Sequence, residues 1–176
     1  MPPLDLDLEP RAPLPPLEAP RLAAVEASRA DEGRLQGCLE AAPGYFVLTE
    51  GAPPSPDAAA RLLDEAEADP CRRVLLLERR RGGAAVGVLD VWLDQPEPGT
   101  AHLGLLLVAE RLQGQGLGAE AAAALERSLG AAGYGLLRLS VGDENPGAHA
   151  FWERQGYAPV GRLAGGVTVY EKPLAG

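Results

Sequence analysis

The stretch of sequence best suited to chemistry is a glycine-rich segment that joins a predicted strand to a predicted helix. Residues 108–118 read Val-Ala-Glu-Arg-Leu-Gln-Gly-Gln-Gly-Leu-Gly, which places three glycines where a helix over residues 116–132 begins. A helix N-terminus presents unpaired backbone N–H groups and a partial positive charge, and both favour phosphate. Glycines let the backbone turn tightly and approach an anion closely. The segment therefore predicts a pyrophosphate-binding loop.

Two common classes of nucleotide-binding protein fit this loop poorly. A P-loop ends in Gly-Lys-Ser or Gly-Lys-Thr, and the segment contains no lysine, which disfavours magnesium-dependent nucleotide hydrolysis. A dinucleotide-binding fold uses Gly-x-Gly-x-x-Gly early in a βαβ unit, whereas Gly-x-Gly-x-Gly occurs here late in the chain. A purely structural alternative stays open, in which Gly114, Gly116 and Gly118 only make a tight turn.

Two blocks of the sequence resemble the motifs of the GNAT superfamily of N-acetyltransferases. Residues 113–118 match its Gln/Arg-x-x-Gly-x-Gly/Ala signature. Residues 145–157, Asn-Pro-Gly-Ala-His-Ala-Phe-Trp-Glu-Arg-Gln-Gly-Tyr, are similar to its Asn-x-x-Ala-x-x-Phe-Tyr-x-x-x-Gly-Phe pattern. The order of predicted elements from residue 20 onward is also similar to that fold. The resemblance implies an N-acetyltransferase that uses acetyl-CoA as acyl donor, transfers the acetyl group to an amine by direct attack in a ternary complex, and needs no metal.

The resemblance also implies which residues bind the cofactor. The loop amides would bind the coenzyme A pyrophosphate, and the strand ending at Val108 would part from the strand beginning at Leu136. The backbone freed there would bond the pantetheine amides like an added strand, with Asn145 near the pantetheine arm. The complete cofactor set is Leu106, Val108, Gln113, Gly114, Gln115, Gly116, Leu117, Gly118, Ala119, Asn145, Phe151 and Trp152.

Amine acetylation needs a neutral amine, a donor for the developing oxyanion and a proton for the leaving thiolate. The resemblance implies a backbone N–H near the end of the parting strand as the oxyanion donor, and we expect Val108 to supply it. His102 is the candidate base, because it stands six positions before Val108 on the same predicted strand and a strand repeats every two residues. Both would then share one face. The alternative is a histidine that is merely solvated or hydrogen-bonded at a strand edge.

Trp152 departs from the family pattern, since it occupies the position of the tyrosine that protonates the thiolate. An indole N–H donates a hydrogen bond but does not release a proton near neutral pH. We therefore expect Trp152 either to hold the thiolate while water supplies the proton or to pack as an ordinary aromatic. The departure favours a second hypothesis, a non-catalytic coenzyme A-binding module. His149, on the same predicted helix, is expected on its exposed face.

The amine would bind beside two segments that flank the predicted cofactor site. These are residues 45–54, predicted as the connection between the first two helices, and the strand–turn region at residues 90–94. The side chains expected to line this site are Tyr45, Phe46, Glu50, Asp90 and Trp92. Nothing in the sequence identifies the amine, which is a small molecule or a protein amino group.

Composition and charge exclude several other classes of protein. The chain has 176 residues, of which 46% are hydrophobic and 23% charged, as in a globular domain of ordinary size. Its longest uncharged apolar stretch, residues 103–109, is too short to cross a bilayer, and the N-terminus lacks signal-peptide features, so we expect a cytoplasmic protein. A net charge of −9 disfavours nucleic acid and anionic membranes and favours a cationic amine. Cys38 and Cys71 form neither a metal-ligand spacing nor a disulfide framework.

Local patterns place the motifs on a sheet with flanking helices. The predicted strands are residues 21–27, 74–78, 84–93, 101–108, 136–141, 157–163 and 167–172. The predicted helices are one from Asp31 that ends at Pro43, one from residue 56 to 69, and residues 116–132 and 146–155. The fold class is α/β, in the mixed α+β sense: a GNAT-like, mostly antiparallel sheet of about seven strands with a β-α-β acyl-CoA-binding unit.

The chain is predicted to contain one domain, residues 20–176, preceded by a proline-rich extension over residues 1–19. Within the extension, residues 4–8 alternate apolar and acidic side chains with the period of a half-buried strand. Docking on its own domain or on a second subunit of a homodimer would hold this arm.

Overall fold

The computed structural model describes residues 13–175, which form an eight-stranded sheet with helices on both faces. The strands are β1 Leu17–Glu18, β2 Leu22–Glu26, β3 Arg72–Arg79, β4 Ala85–Leu93, β5 Thr100–Val108, β6 Leu136–Gly142, β7 Ala158–Leu163 and β8 Val167–Pro173. The helices are α1 Glu32–Glu40, α2 Pro43–Glu50, α3 Ala58–Ala68, α4 Leu117–Ala131 and α5 Pro146–Arg154, with short 3-10 turns at Arg29–Asp31 and Glu110–Leu112.

The sheet is mixed, as predicted. Its strand order is β1-β2-β3-β4-β5-β6-β8-β7, and each neighbouring pair is antiparallel except β5 and β6. Those two parallel strands are joined by α4, which gives the predicted β-α-β unit. The eighth strand is β1, a short edge strand that the sequence did not predict.

Each face of the sheet has its own hydrophobic core. Helix α4 packs on one face through its buried positions Leu117, Ala121, Leu125 and Leu129, which recur at helical spacing. Helices α1, α2 and α3 bury their apolar positions against the other face. Side chains of a strand alternate between the two cores because successive Cβ atoms point to opposite faces.

Helix α2 corrects the prediction that residues 45–54 form a loop. Pro43 does follow the end of α1, but it also occupies the first turn of a new helix, where its missing N–H costs nothing. Ala42 interrupts the two helices with a non-helical backbone, and α2 ends at Gly51 in the left-handed conformation. Pro43 therefore follows the end of α1, as predicted, and is also the first residue of α2.

The described part of the predicted N-terminal extension lies against the domain. Strand β1 pairs with β2, and Leu17 is buried in the core beneath α4. The Ser128 hydroxyl donates to the Pro15 carbonyl at 2.6 Å, and Arg127 Nη2 donates to the Glu18 carbonyl at 2.9 Å. The strand predicted over residues 4–8 lies outside the described residues. From residue 13 to residue 175, no helix has the length and apolar character needed to span a membrane.

Candidate active site

The central feature of the site is a gap between β5 and β6. The parallel ladder runs from Thr100 opposite Leu136 to Leu103 opposite Leu139 and goes no further. Beyond that point β5 continues against β4 while β6 continues against β8. The two strands therefore part, as the resemblance implied.

A β-bulge at Gly104 accompanies the separation of the strands. Asp90 lies opposite Leu105, but its neighbour Val91 lies opposite Leu103, so Gly104 is an extra residue in β5. Only glycine fits there, because a Cβ on Gly104 would stand 2.3 Å from Cζ3 of Trp92.

The bulge reverses the alternation of side chains along β5. Leu103 lies in the core beneath α4, whereas Leu105 and Leu107 lie in the opposite core, and Val108 returns to the α4 side. His102, next to Leu103, therefore faces away from Val108 across the sheet. The prediction that His102 and Val108 share one face is wrong, because it counted by twos through a strand that contains one extra residue.

The backbone of β5 beyond the bulge presents hydrogen-bonding groups to the gap. The Ala109 N–H donates to the Val86 carbonyl at 2.9 Å, and Leu107 lies opposite Val88. Antiparallel pairs alternate in direction, so Leu107 and Ala109 bond to β4 while Leu106 and Val108 point away from it. The Val108 carbonyl accepts from Gln113 Nε2 at 2.9 Å, which leaves its N–H facing the gap.

The parted strands open a cleft of about 960 Å³, within the range of cofactor sites. Of the cofactor residues predicted from the sequence, all except Gln115 line it. Residues that were not named from the sequence also line it, among them Leu48 and Thr49 of α2, Glu110, Ser140 and Glu144. Leu48 and Thr49 lie in the predicted amine segment, and Glu110 and Glu144 lie in or beside the two motifs, whereas Ser140 lies on β6 and only the folded sheet brings it to the cleft.

The glycine-rich loop at one end of the cleft carries a group of unused amides. Gly114 and Gly116 have φ of 74° and 82°, a left-handed backbone that glycine adopts readily, and α4 begins at Leu117. The Gln113 N–H is used locally, since it donates to the Glu110 carbonyl at 3.1 Å. No acceptor among residues 13–175 takes the amide hydrogens of residues 114–119. Six consecutive amides at a helix N-terminus form a site suited to a diphosphate.

Arg21, which directly precedes β2, holds the glycine-rich loop in place. Its Nη2 donates to the Gln115 carbonyl at 2.9 Å, and its guanidinium pairs with Glu120 in the first turn of α4. The Gln115 carbonyl is thereby directed toward Arg21 and away from the cleft.

Helix α5 forms the opposite wall of the cleft. Asn145 caps it, with its side-chain oxygen accepting from the Ala148 N–H at 3.1 Å. Phe151 lies over the loop, since a Cβ on Gly118 would be 3.5 Å from its ring. Trp152 lines the cleft but is only 7% exposed, edge-on to Phe151 and Tyr157 at centroid distances of 4.8 and 5.0 Å. Trp152 thus packs in the core and reaches the cleft with one edge, and its role toward the thiolate stays a prediction.

His149 is not on the exposed face of α5, contrary to the prediction. Its Nε2 lies 3.0 Å from the Gly142 carbonyl and its Nδ1 lies 2.7 Å from the Tyr170 hydroxyl. A carbonyl only accepts, so Nε2 carries a hydrogen and donates to Gly142, while Nδ1 and the Tyr170 hydroxyl share a second hydrogen bond. His149 therefore links α5 to the end of β6, which lines the cleft.

His102 lines a second, smaller cavity rather than the main cleft. This cavity has a volume of about 360 Å³ and shares Ser140 with the cleft. Burial and the positive charge of Arg138 lower the pKa of His102 below its ordinary value. His102 is consequently neutral near pH 7 and able to accept a proton.

The predicted amine-site residues divide between the cleft and the core. Tyr45 lines the cleft, and burial, with the charge of Glu50, raises the pKa of its hydroxyl. Phe46 is buried in the core beneath α1, and Glu50 is exposed and does not line the cleft.

The Asp90 carboxylate is tied up in a buried group rather than free to bind an amine, and the same group fixes the Trp92 ring, which lines the smaller cavity. Arg72 donates to both oxygens of Asp90, at 2.9 and 2.7 Å, and lies 4.2 Å above the Trp92 ring. Burial is the larger influence on Asp90 and raises its pKa, while the Arg72 guanidinium opposes that shift. Trp92 donates to Asp69 at 3.1 Å. This group supports the bulge at Gly104.

Comparison with known proteins agrees with the motifs and the geometry. Residues 35–157 match the family model described as the Acetyltransferase (GNAT) family. The chain belongs to the GNAT acetyltransferase family. No curated protein matches the sequence. Within the part of the chain that the structure describes, no group of three or more His, Cys, Asp or Glu side chains could hold a metal ion.

Solved structures of other GNAT proteins have the same fold. An acetyltransferase from Thermus thermophilus is 34% identical with a TM-score of 0.80, covering 88% of this chain and 97% of its own. PaiA N-acetyltransferase from Thermoplasma acidophilum, solved with coenzyme A, is 12% identical with a TM-score of 0.69 and covers 86% and 98%. The ribosomal-protein alanine N-acetyltransferase from Escherichia coli is 17% identical with a TM-score of 0.64 and covers 88% and 94%.

Proposed function

We propose that this GNAT protein transfers an acetyl group from acetyl-CoA to an amine, by direct attack within a ternary complex. One observation carries the proposal: the glycine-rich loop, with its unused amides, and the free strand edge at Leu106 and Val108 line one continuous cleft. Amides at a helix N-terminus suit a diphosphate, and a free strand edge suits an extended arm with amide groups of its own. Coenzyme A contains both parts in that order.

In this proposal the cofactor is held by the residues predicted from the sequence. The amides of residues 114–119 bind the diphosphate, and the backbone groups of Leu106 and Val108 bind the pantetheine amides. Asn145, Phe151 and Trp152 flank the arm from α5, which lines the same cleft. Acetyl-CoA supplies an activated thioester.

The chemistry then needs a backbone donor in the gap and a base on the face of the sheet that carries His102. The Val108 N–H faces the gap and donates to the developing oxyanion. His102 takes the proton of the amine from the other face, through Ser140, which lines both the cleft and the cavity of His102. The amine nitrogen forms a bond to the acetyl carbon, the C–S bond breaks, and the thiolate takes its proton from water. The indole N–H of Trp152 donates a hydrogen bond to that sulfur.

The experiment is an assay of thiol release from acetyl-CoA with a panel of primary amines and an N-terminal peptide, with product masses determined. We expect release only when an amine is present, and a His102→Gln variant with kcat/KM reduced by about 10²-fold at an unchanged Kd for coenzyme A. Full activity of His102→Gln would refute its role as base. Tight coenzyme A binding without release on any amine would instead identify a non-catalytic binding module, the alternative that Trp152 favours.

A further inference from the structure

The cavity of His102 is a separate compartment on the face of the sheet where the amine approaches. We call it the side pocket, and it is lined by Trp92, Gln95, Pro96, His102, Arg138, Ser140, Leu163 and Val169. Strand pairing explains how distant residues meet there: Trp92 lies opposite His102, His102 beside Arg138, and Ser140 opposite Val169. The side pocket thus crosses several strands at one level and meets the cleft at Ser140.

The walls of the side pocket are mostly apolar. Trp92, Pro96, Leu163 and Val169 surround it, and Leu163 is 58% exposed at its rim. An exposed large apolar side chain beside an apolar cavity gains burial when a ligand group fills that cavity. Its volume of about 360 Å³ lies at the lower end of the range for small-molecule sites.

The polar groups of the side pocket carry little net charge. Arg138 directs both Nε, at 2.7 Å, and Nη2 to Glu171, which balances its charge. Nη1 has no acceptor among residues 13–175 and remains a donor. His102 is neutral near pH 7, as described above. Gln95, His102 and Ser140 also line the side pocket and bring polar groups that carry no charge. The side pocket therefore disfavours a second ammonium group.

The position of Trp92 is set before any ligand binds. Arg72 covers one face of the ring, Asp69 accepts its N–H, and the bulge at Gly104 packs against its edge. A wall fixed in this way does not need to be ordered on binding, which lowers the entropic cost for a ligand.

We infer that the side pocket is an acceptor subsite for an uncharged apolar group, aromatic or branched aliphatic, carried by the amine. The inference rests on the proposed function, because it names the class of amine that the site selects. The amine nitrogen lies at the gap near Ser140, and its apolar group lies between Trp92 and Leu163. Polyamines and small hydrophilic amines are then poor acceptors.

The test compares two acceptors with the same reactive group, 2-phenylethylamine and ethylamine, by kcat/KM for thiol release. We expect the aromatic amine to be preferred by about tenfold or more, as for a well-filled apolar pocket. Leu163→Asp should remove most of that preference, measured as the ratio of kcat/KM for 2-phenylethylamine to kcat/KM for ethylamine. Val160→Asp is the matched control, since Val160 lies on the same strand, is 53% exposed, and does not line the side pocket.

The outcomes separate this inference from the proposed function. Equal kcat/KM for the two amines in the wild-type protein, or equal losses in the Leu163→Asp and Val160→Asp variants, overturns the subsite alone. A wild-type preference for spermidine over 2-phenylethylamine also overturns it. Coenzyme A binding, measured by calorimetry, with no transfer to any amine overturns both.

Discussion

Replacing Gly104 with alanine should destabilise the protein by an amount that the local geometry sets. The added Cβ would lie 2.3 Å from Cζ3 of Trp92, 3.2 Å from Cη2 and 3.3 Å from Cε3. The ring cannot easily move away, because Arg72 covers it and Asp69 holds its N–H. Overpacking of this kind costs about 1–3 kcal/mol, and we expect a loss near the upper end of that range.

Urea unfolding of four variants measures this loss and its cause. Gly37→Ala is the control, since Gly37 is inside α1 with nothing within 4 Å of a new Cβ, so alanine should stabilise by roughly 0.5–1 kcal/mol. Trp92→Leu removes the ring, and in that background Gly104→Ala should cost less than about half of its loss in the wild type, since contacting residues couple. The reasoning is refuted if Gly104→Ala is as stable as the wild-type protein, or if it costs the same with and without Trp92.

Three further changes test other parts of the structure. Asp90→Asn should lower the free energy of unfolding in urea by about 3 kcal/mol, because it leaves buried Arg72 with a weakened partner. Asp143→Asn, in an exposed pair with Arg162, should lower it by less than about 1 kcal/mol. Equal losses in the two variants would contradict the expectation that burial makes the Arg72–Asp90 pair the more costly one to weaken. Gly116→Ala places a side chain on a backbone with φ of 82° at the start of α4, a conformation that alanine disfavours. Calorimetry should therefore show the affinity for coenzyme A reduced by about tenfold. Unchanged affinity would argue against the glycine-rich loop as the diphosphate site. In the acetylation assay kcat/KM should fall as pH drops through the pKa of His102, which lies below the ordinary value for histidine because burial disfavours the protonated ring. The same fall in the His102→Gln variant would assign it to another group.

The cofactor side of the site was predictable because its information is local. The glycine loop and the Asn145 helix are contiguous motifs, and each carries its chemistry in its own backbone. Their positions along the chain, between strands that were also predicted, placed them near the same end of the sheet. In the structure both motifs line one cleft, although the preceding turn uses the Gln113 N–H, and the contacts of these residues with the cofactor stay a prediction.

The amine side was harder to predict because it depends on contacts between distant residues. One signal was present but unused: an isolated glycine inside a strand marks a bulge or a close approach, and Gly104 does both. The prediction counted residues by twos through Gly104 and therefore placed the His102 side chain on the wrong face of the sheet. The hydrogen bonds of His149 to Tyr170 and Gly142 could not be predicted, since they join elements that only the folded sheet brings together. The side pocket draws its walls from strands scattered between residues 92 and 169.

The early end of the β5–β6 ladder leaves the sheet with little pairing at its middle. Within the sheet, only four paired positions, from Thr100–Leu136 to Leu103–Leu139, join β1 to β5 with β6 to β8. A ligand in the cleft would contact both strands beyond these four positions and would stabilise the sheet where the ladder has ended. Loading the protein with coenzyme A should therefore slow amide hydrogen exchange in β6 and β8 as well as in β5.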